Sequence, residues 1–556
     1  HARDGKPLEL VRYNLSQTDR QAMRERGGDP EDTFTPDFPI KFARELATHL
    51  PATKRPDAVH AAKDFIAQIS REEWNKVSAE LQKLAVDWTD TTNTDAGPAP
   101  KEFEVKVETD RVDADVRAGE PMTLKVTVKN NGKAPAFRVR ATTKSDNSFL
   151  DNKELIFGKI NPGQAKTATA PLGWCEVEGR KPGTSAPLVS NAPRICRIPK
   201  DSVTRSDGIK VKFDATGGHS PADAEIRTTV RGLDRPVFSY AYQIADNRGG
   251  NGDGRVQRGE AFTMYLSVKN VGRGRSYETQ ANLRNLSGDG LLLRDGRFDV
   301  SNMMPGDVKR VAFTFDVGQQ LPDNEVKVEL SVSDRDLREI ASEKIKVPVE
   351  PAAQLAAQPG AVRAGAQGAV LFDEPQPSSR SFGKLAPGTA VNRIARAGDF
   401  AKIDLGSSRF AFALAKDFSD GGTPAQAVGF DDLYSHAPPM IDVAPAALAT
   451  REGHIKIGAT ASDVTRLLDS YIFVGSRKVF YRNNGNGPDP RKMSLEADVS
   501  LRPGVNIITV FARESPDTMS RRTMVVRRDG PNGELLPTPT TEGSLWETKE
   551  GEEEAP

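Results

Sequence analysis

The sequence predicts a mainly β, multidomain chain: a helical segment first, then β-sandwiches and one small barrel. Three observations carry this. Aromatic residues make up only 6% of the 556 positions, beside 47 Gly and 38 Pro, which suits small sheet domains joined by turns better than one large α/β core. From residue 102 the hydrophobic period changes from helical to two, as in "EFEVKVETD" and "MTLKVTVKNNG". Finally, "GEPMTLKVTVKNNG" at 119–132 aligns without gaps on "GEAFTMYLSVKNVG" at 259–272, and "INPGQAKTATAPL" at 160–172 echoes "MMPGDVKRVAFTF" at 303–315. Two copies of one sandwich unit are the natural inference.

Taken in order, residues 1–88 read as helical. Phe38, Phe42, Leu46 and Leu50 form one stripe, Pro56 and Asp57 open a second helix, and Trp74, Val77, Leu81 and Leu84 continue the pattern. "TDTTNTDAGPAPK" is a linker. Residues 102–235 form the first sandwich, with a Cys-bearing insertion, and 236–350 form the second. The Ala/Gln/Gly-rich stretch 351–368 reads as a low-complexity linker. Short strands parted by Pro-Gly and Gly-Asp turns make 369–420 a barrel, and 438–529 is a last sandwich. "NNGNGPDPRK" at 483–492 reads as a plain hairpin loop. The Pro-, Thr- and Glu-rich residues 530–556 are expected to be disordered.

Charge argues against two partner classes. With 77 basic and 77 acidic residues there is no net field to draw nucleic acid or an anionic membrane. No apolar run approaches the ~20 residues that span a bilayer. The chain starts without Met, so it reads as a fragment or a processed product. Cys175 and Cys196 bracket a loop rich in Gly, Pro and Ser. Either they close a disulfide, which implies an oxidising compartment, periplasmic or extracellular, or they are two separate buried thiols.

The stretch "DNRGGNGDGRVQRGE" at 246–260 raises its own question. A calcium loop of EF-hand type wants oxygens at positions 1, 3, 5, 7, 9 and 12, with Gly at 6. With Asp253 at position 5, Gly254 falls at 6, Asn251 at 3, Arg255 (through its carbonyl) at 7, Gln257 at 9 and Glu260 at 12. Position 1 falls on Gly249, so Asp246 or Asn247 must swing in across "RGG". The expectation is one calcium, with a glycine-rich connector holding no ion as the alternative. The first repeat has "DRVDADVRAGE" in this place and lacks the core pattern.

No sequence motif for chemistry is present. The six histidines stand outside metal-ligand spacing, and neither a nucleophile elbow nor a phosphate loop occurs. No catalytic residue is assigned.

The segments "LVRYNLSQTDRQAMRERGGDPEDTFTPDFPIKFARELA" and "LQKLAVDW" resemble the region that follows the catalytic core in secreted C-terminal-processing (tail-specific) serine peptidases of the large multidomain form seen in myxobacteria. Such enzymes use a serine activated by a lysine, usually with a PDZ domain, and neither part is found in this sequence. The resemblance therefore implies an accessory, non-catalytic C-terminal region that binds a peptide or protein substrate or a cell-envelope component. The alternative is a stand-alone surface adhesion or binding protein. The repeats resemble the cell-adhesion-related immunoglobulin-like domains of bacterial surface proteins. "LAPGTAVNRIARAGDFAKIDL" is similar to bacterial Src-homology-3-like barrels, with "RFAFA" in place of the usual Gly-Trp before the last strand.

Overall fold

The first sandwich shows why alternation sets the architecture. Strand Met122–Asn130 buries every second residue, with Met122, Leu124, Val126 and Val128 inside and Lys125 and Lys129 outside. The computed structural model describes residues 71, 75–91, 97–177, 194–217, 219–516 and 518–539. Within them lie four sheet-built modules, and the chain is mainly β throughout.

The first module pairs a three-stranded sheet, in which Met122–Asn130 lies between Phe103–Thr109 and Ala165–Leu172, with a five-stranded sheet. The second repeats the plan: Ala261–Asn270 lies between Phe238–Ala245 and Val308–Val317, opposite a sheet built on Glu325–Asp334.

The repeat extends to one polar staple. Asn130 donates from Nδ2 to the carbonyls of Ala134 and Ile160 and accepts from Gly132 N–H. Asn270 donates to Gly274 and Met303 and accepts from Gly272 N–H. Both asparagines are fully buried, so these bonds answer the cost of placing an amide inside a sandwich. This is the physical content of the shared "KN-x-G".

Between its sixth strand and the return, the first module carries the hairpin Trp174–Val177/Arg194–Arg197, where Cys175 and Cys196 stand opposite one another and form a disulfide.

The third module is a single eight-stranded sheet around its own core of Leu371, Phe382, Leu385, Ile403 and neighbours. One of its strands is Ala356–Ala364, which pairs with Ala390–Ala397 and with Phe418–Asp420. This corrects the reading of 351–368 as a linker: Val362 and Ala364 are buried, and composition hid a strand whose first half is exposed.

The fourth module packs a three-stranded sheet on a five-stranded one that includes Gly504–Arg513 and Met519–Arg528. The 483–492 stretch does not close a hairpin. It crosses from Arg477–Asn483 in one sheet to Lys492–Ser500 in the other, folded on itself by Asn484 donating to the Asp489 and Pro490 carbonyls.

Residues 530–539, expected to be disordered, run back over the structure. The Thr538 hydroxyl accepts from Val505 N–H, the Leu536 carbonyl accepts from Arg527, and Leu535 packs on Gly208 of the first module. The helical stripes at 38–50 and from Pro56, Trp74, and residues 540–556 lie outside the described residues. Of the N-terminal helices, 75–83 is described; its Val77 and the following Leu84 are exposed. The segment after it docks on the first sandwich: Lys159 N–H donates to the Asp87 carbonyl and Arg138 Nε to that of Trp88.

Candidate functional site at the seam of the second sandwich and the barrel

Strand Phe238–Ala245 is buried at every position, whereas its counterpart Phe103–Thr109 is half exposed. The reason is a third layer. Phe238, Tyr240, Tyr242 and Ile244 enter the module's own core, while the opposite face is covered by the barrel. There Phe400, Phe410 and Phe412 form a satellite core with Ala245, against which Tyr265, Leu355 and Phe372 pack. Burying an aromatic of this kind contributes about 1.5–3 kcal/mol each, so the seam is a substantial contact.

The sequence carries a signal of this layer. The register places Glu104, Lys106 and Glu108 of the first repeat where the second has Ser239, Ala241 and Gln243, and Lys125 where it has Tyr265. Four charged side chains give way to neutral ones on the face that another module covers, while Lys269 and Arg310 remain on it.

The 246–260 loop lies under the same seam. Asp246 is buried, and its carboxylate accepts from the backbone N–H groups of Gly252 at 2.6 Å, Asp253 at 3.1 Å and Gly254 at 3.1 Å. It therefore folds the loop back across the Arg248–Gly250 stretch. Asn251 Oδ1 accepts from Asp253 N–H and Asp253 Oδ1 from Arg255 N–H, while Asp253 Oδ2 accepts from Gln257 Nε2 and from Ala353 N–H. Asn251 Nδ2 also donates to Gln257 Oε1, and Arg255 reaches the Pro351 carbonyl. Asn247 Nδ2 donates to the Tyr265 hydroxyl. Glu260 Oε1 accepts from Asn251 N–H at 3.3 Å.

All seven residues singled out for calcium thus meet in one loop, closed by its own hydrogen bonds. Two oxygens remain: Glu260 Oε2 and Asn247 Oδ1 are buried without a partner. Burial raises the carboxyl pKa of Asp246 and of Glu260, and the neighbouring carboxylates add to it in both. Positive charge arrives from the barrel, because Lys402 Nζ lies 2.6 Å from where a Cβ on Gly252 would stand. Burial lowers the Lys402 pKa against the pull of Asp246 and Asp253. Among the described residues no group of three or more His, Cys, Asp or Glu is gathered as a metal cluster. The loop fits an oxygen-seeking cation in part, through its two orphaned oxygens.

The glycines answer to the barrel. Gly254 has φ +80°, and a Cβ there would stand 2.2 Å from the Asp373 carbonyl oxygen and 2.8 Å from the Phe412 ring. Only glycine allows both that backbone angle and that approach.

A second seam joins the second and fourth modules. His436 and Tyr240 pair through their backbones, their rings stack at 5.3 Å, and His436 Nδ1 lies 3.1 Å from Glu343. The Tyr240 hydroxyl donates to the same carboxylate at 2.9 Å. Burial pushes the Glu343 pKa up, but these two hydrogen bonds and the imidazole outweigh it and hold the pKa below the usual range. A cleft of about 410 Å³ opens here, lined also by Ser435, Thr465 and Glu514. The pair is an imidazole oriented by a carboxylate and stacked on Tyr240. It braces the joint.

The fourth module also returns to the first, through Arg527 to Asp146 at 3.0 Å and Arg227 to Asp529 at 2.8 Å.

No helix among the described residues is long and apolar enough to cross a membrane. No family model and no curated protein matches the chain. Among solved structures, red sea bream transglutaminase is similar at 12% identity over 45% of this chain, with a TM-score of 0.17. The match spans about a third (31%) of the transglutaminase's own length. The YadV chaperone is similar at 12% identity over 44% of this chain and all of its own, with a TM-score of 0.13. Likeness at this level carries no argument about function.

Proposed function

We propose that this chain is the accessory, non-catalytic C-terminal region of an exported serine peptidase, a set of locked β-modules that holds a peptide or protein substrate or an envelope component, in the periplasm or outside the cell. The observation that carries the reading is the pair of seams around strand Phe238–Ala245. Residues such as Phe410, Phe412 and His436 are spent joining modules, which suits surfaces that must be presented together.

The binding mode follows from the sheet edges. Among the described residues, strands Arg477–Asn483 and Lys492–Ser500 each pair with a neighbour on one side only, so an extended peptide can add to them by main-chain hydrogen bonds. The Cys175–Cys196 disulfide suits an oxidising compartment. The same reading gives the 246–260 loop one calcium, with Glu260 and Asn247 offering the oxygens that have no other partner.

The test is the reading frame upstream of His1, together with an assay of the isolated chain on an unfolded model protein. An in-frame Ser/Lys peptidase core and no cleavage by the isolated chain are expected. A signal peptide directly upstream would instead support a stand-alone surface adhesion protein, and cleavage by the chain itself would overturn the non-catalytic assignment.

A further inference from the structure

Between the outer face of the second sandwich and the barrel lies a half-open cleft of about 220 Å³. Its floor is sheet: Ala241 and Gln243, Tyr265 and Ser267, Arg310 and Ala312. Its roof is the barrel's Phe382, Arg409 and Asp432.

Two guanidinium groups face this space, and their situations differ. Arg310 donates to Asp432 Oδ2 at 2.7 Å, and the same oxygen accepts from the Ser267 and Tyr434 hydroxyls at 2.8 and 3.2 Å. That carboxylate is neutralised and satisfied. Arg409 makes one hydrogen bond, from Nε to Gln243 Oε1 at 2.6 Å, and Gln243 is itself fixed by donating to the Phe410 carbonyl. Its guanidinium lies over the rings of Tyr265 at 4.4 Å, Phe430 at 5.0 Å and Phe382 at 5.3 Å. Among the described residues no carboxylate lies within ion-pair distance of it, although Asp432 and Asp373 act on its charge from farther away, and its terminal nitrogens make no hydrogen bond. A positioned cation between aromatic faces, with its fork unused beside a cleft, is built to receive a planar anion.

We propose that this cleft binds a carboxylate attached to an apolar or aromatic body, with Arg409 gripping the carboxylate and Phe382, Tyr265 and Ala312 lining the space for the body. The proposal deepens the reading of the chain as a binding array. Its failure would leave that reading standing, because strand addition uses other surfaces. The carboxylate has two sources, a free small acid or the C-terminus of a peptide.

The experiment uses the full chain and ligand-observed NMR with calorimetric titration. The probes are benzoate, benzamide, and a short peptide ending in phenylalanine with either a free or an amidated C-terminus. Saturable binding of benzoate or of the free-carboxylate peptide is expected, with at least tenfold weaker binding of the matching amide. If only the peptide binds, the source is a chain terminus; if only benzoate binds, it is a small acid. Arg409→Met keeps the stem against the rings and removes the fork, and should lower affinity at least tenfold. Ala312→Leu fills the cleft and leaves the charge, and should do the same. Each variant is checked for an unchanged melting profile. If no probe binds, if amide and carboxylate bind alike, or if both folded variants bind as the parent does, the assignment is overturned.

Discussion

Replacing Gly254 with alanine separates what the backbone angle costs from what the seam costs, because Gly306 provides the control. Gly306 has φ +90° in the second repeat's Pro-Gly turn, and nothing lies within 4 Å of a Cβ placed there. Alanine at either site incurs roughly 1–2 kcal/mol for a left-handed L-residue. At Gly254 alone the methyl would also stand 2.2 Å from the Asp373 carbonyl oxygen and 2.8 Å from Phe412, which has no exposed surface. Backbone cannot swing away as a lysine tip can, so the barrel must shift. Overpacking of this kind costs about 1–3 kcal/mol beyond the angle. If the second and third modules melt as one unit, that excess lowers its melting temperature by roughly 2–12 °C relative to Gly306→Ala, at ~2–4 °C per kcal/mol for a unit of that size. Differential scanning calorimetry reads the shift, and limited proteolysis in the 350–355 connection reads whether the modules have parted. Equal shifts for the two variants, with no new cleavage, would refute the account of the loop as a docking element.

Three further outcomes are expected. Breaking the disulfide with Cys175→Ser and Cys196→Ser removes a closure spanning 21 residues, worth about 3 kcal/mol in the chain-entropy model; because the hairpin projects from the first sandwich, the loss should appear as early proteolysis of the hairpin, and a lowered main transition instead would contradict this. Calcium should raise the melting temperature over chelator and Asp253→Ala should abolish the rise, so no shift in the parent protein removes the ion from the loop. Burial holds the Asp373 carboxyl at about 6, up from 3.8, against the pull of Arg380. The folded state therefore binds its proton more tightly, and this residue's contribution to stability declines as pH rises from ~4 to ~6, by roughly 3 kcal/mol. Asp373→Asn should gain on the parent protein across that window in urea melts, and a pH-independent difference would show that the carboxyl titrates normally.

The sandwiches were legible because their alternation is undisturbed on at least one face: Met122–Asn130 and Ala261–Asn270 show it even as aligned text. The strand Ala356–Ala364 was not, since "AAQPG" has neither alternation nor bulk and is held by Ala390–Ala397, with Phe418–Asp420 joining at Val362–Ala364. The ordered 530–539 segment was hidden for a similar reason. It has few apolar residues, and one of them, Leu535, is enough to seat it on Gly208. Within the loop, Asn251 bonds to Asp253, Gln257 and Glu260, and it is Asp246, not Asn247, whose carboxylate wraps the backbone N–H groups. Arg409 carried no local mark. Its role depends on Gln243, 166 residues away, and on rings from two modules. Sequence periodicity reports one module's own core, and says little about a face shared with another.

The two repeats also bear on why the loop is glycine-rich at all. In the first copy, "DRVDADVRAGE" forms a short turn and then strand Asp115–Arg117, which pairs with Thr229–Arg231 inside its own module. There the outer sheet face keeps Glu104, Lys106 and Glu108, and among the described residues no satellite core forms over it. In the second copy, Ser239, Ala241, Gln243 and Tyr265 replace four charged side chains on that face, with Lys269 and Arg310 left on it; Gly252 and Gly254 stand against Lys402 and Asp373, and the Asp253 carboxylate holds Ala353 N–H in the connection to the barrel. Loss of surface charge and gain of Asn-Gly-Asp-Gly occur together, on the copy that is docked. An ion alone would explain the carboxylates and leave the altered face unexplained. Docking explains both, and a calcium ion held by the loop would strengthen a joint whose geometry the backbone already sets.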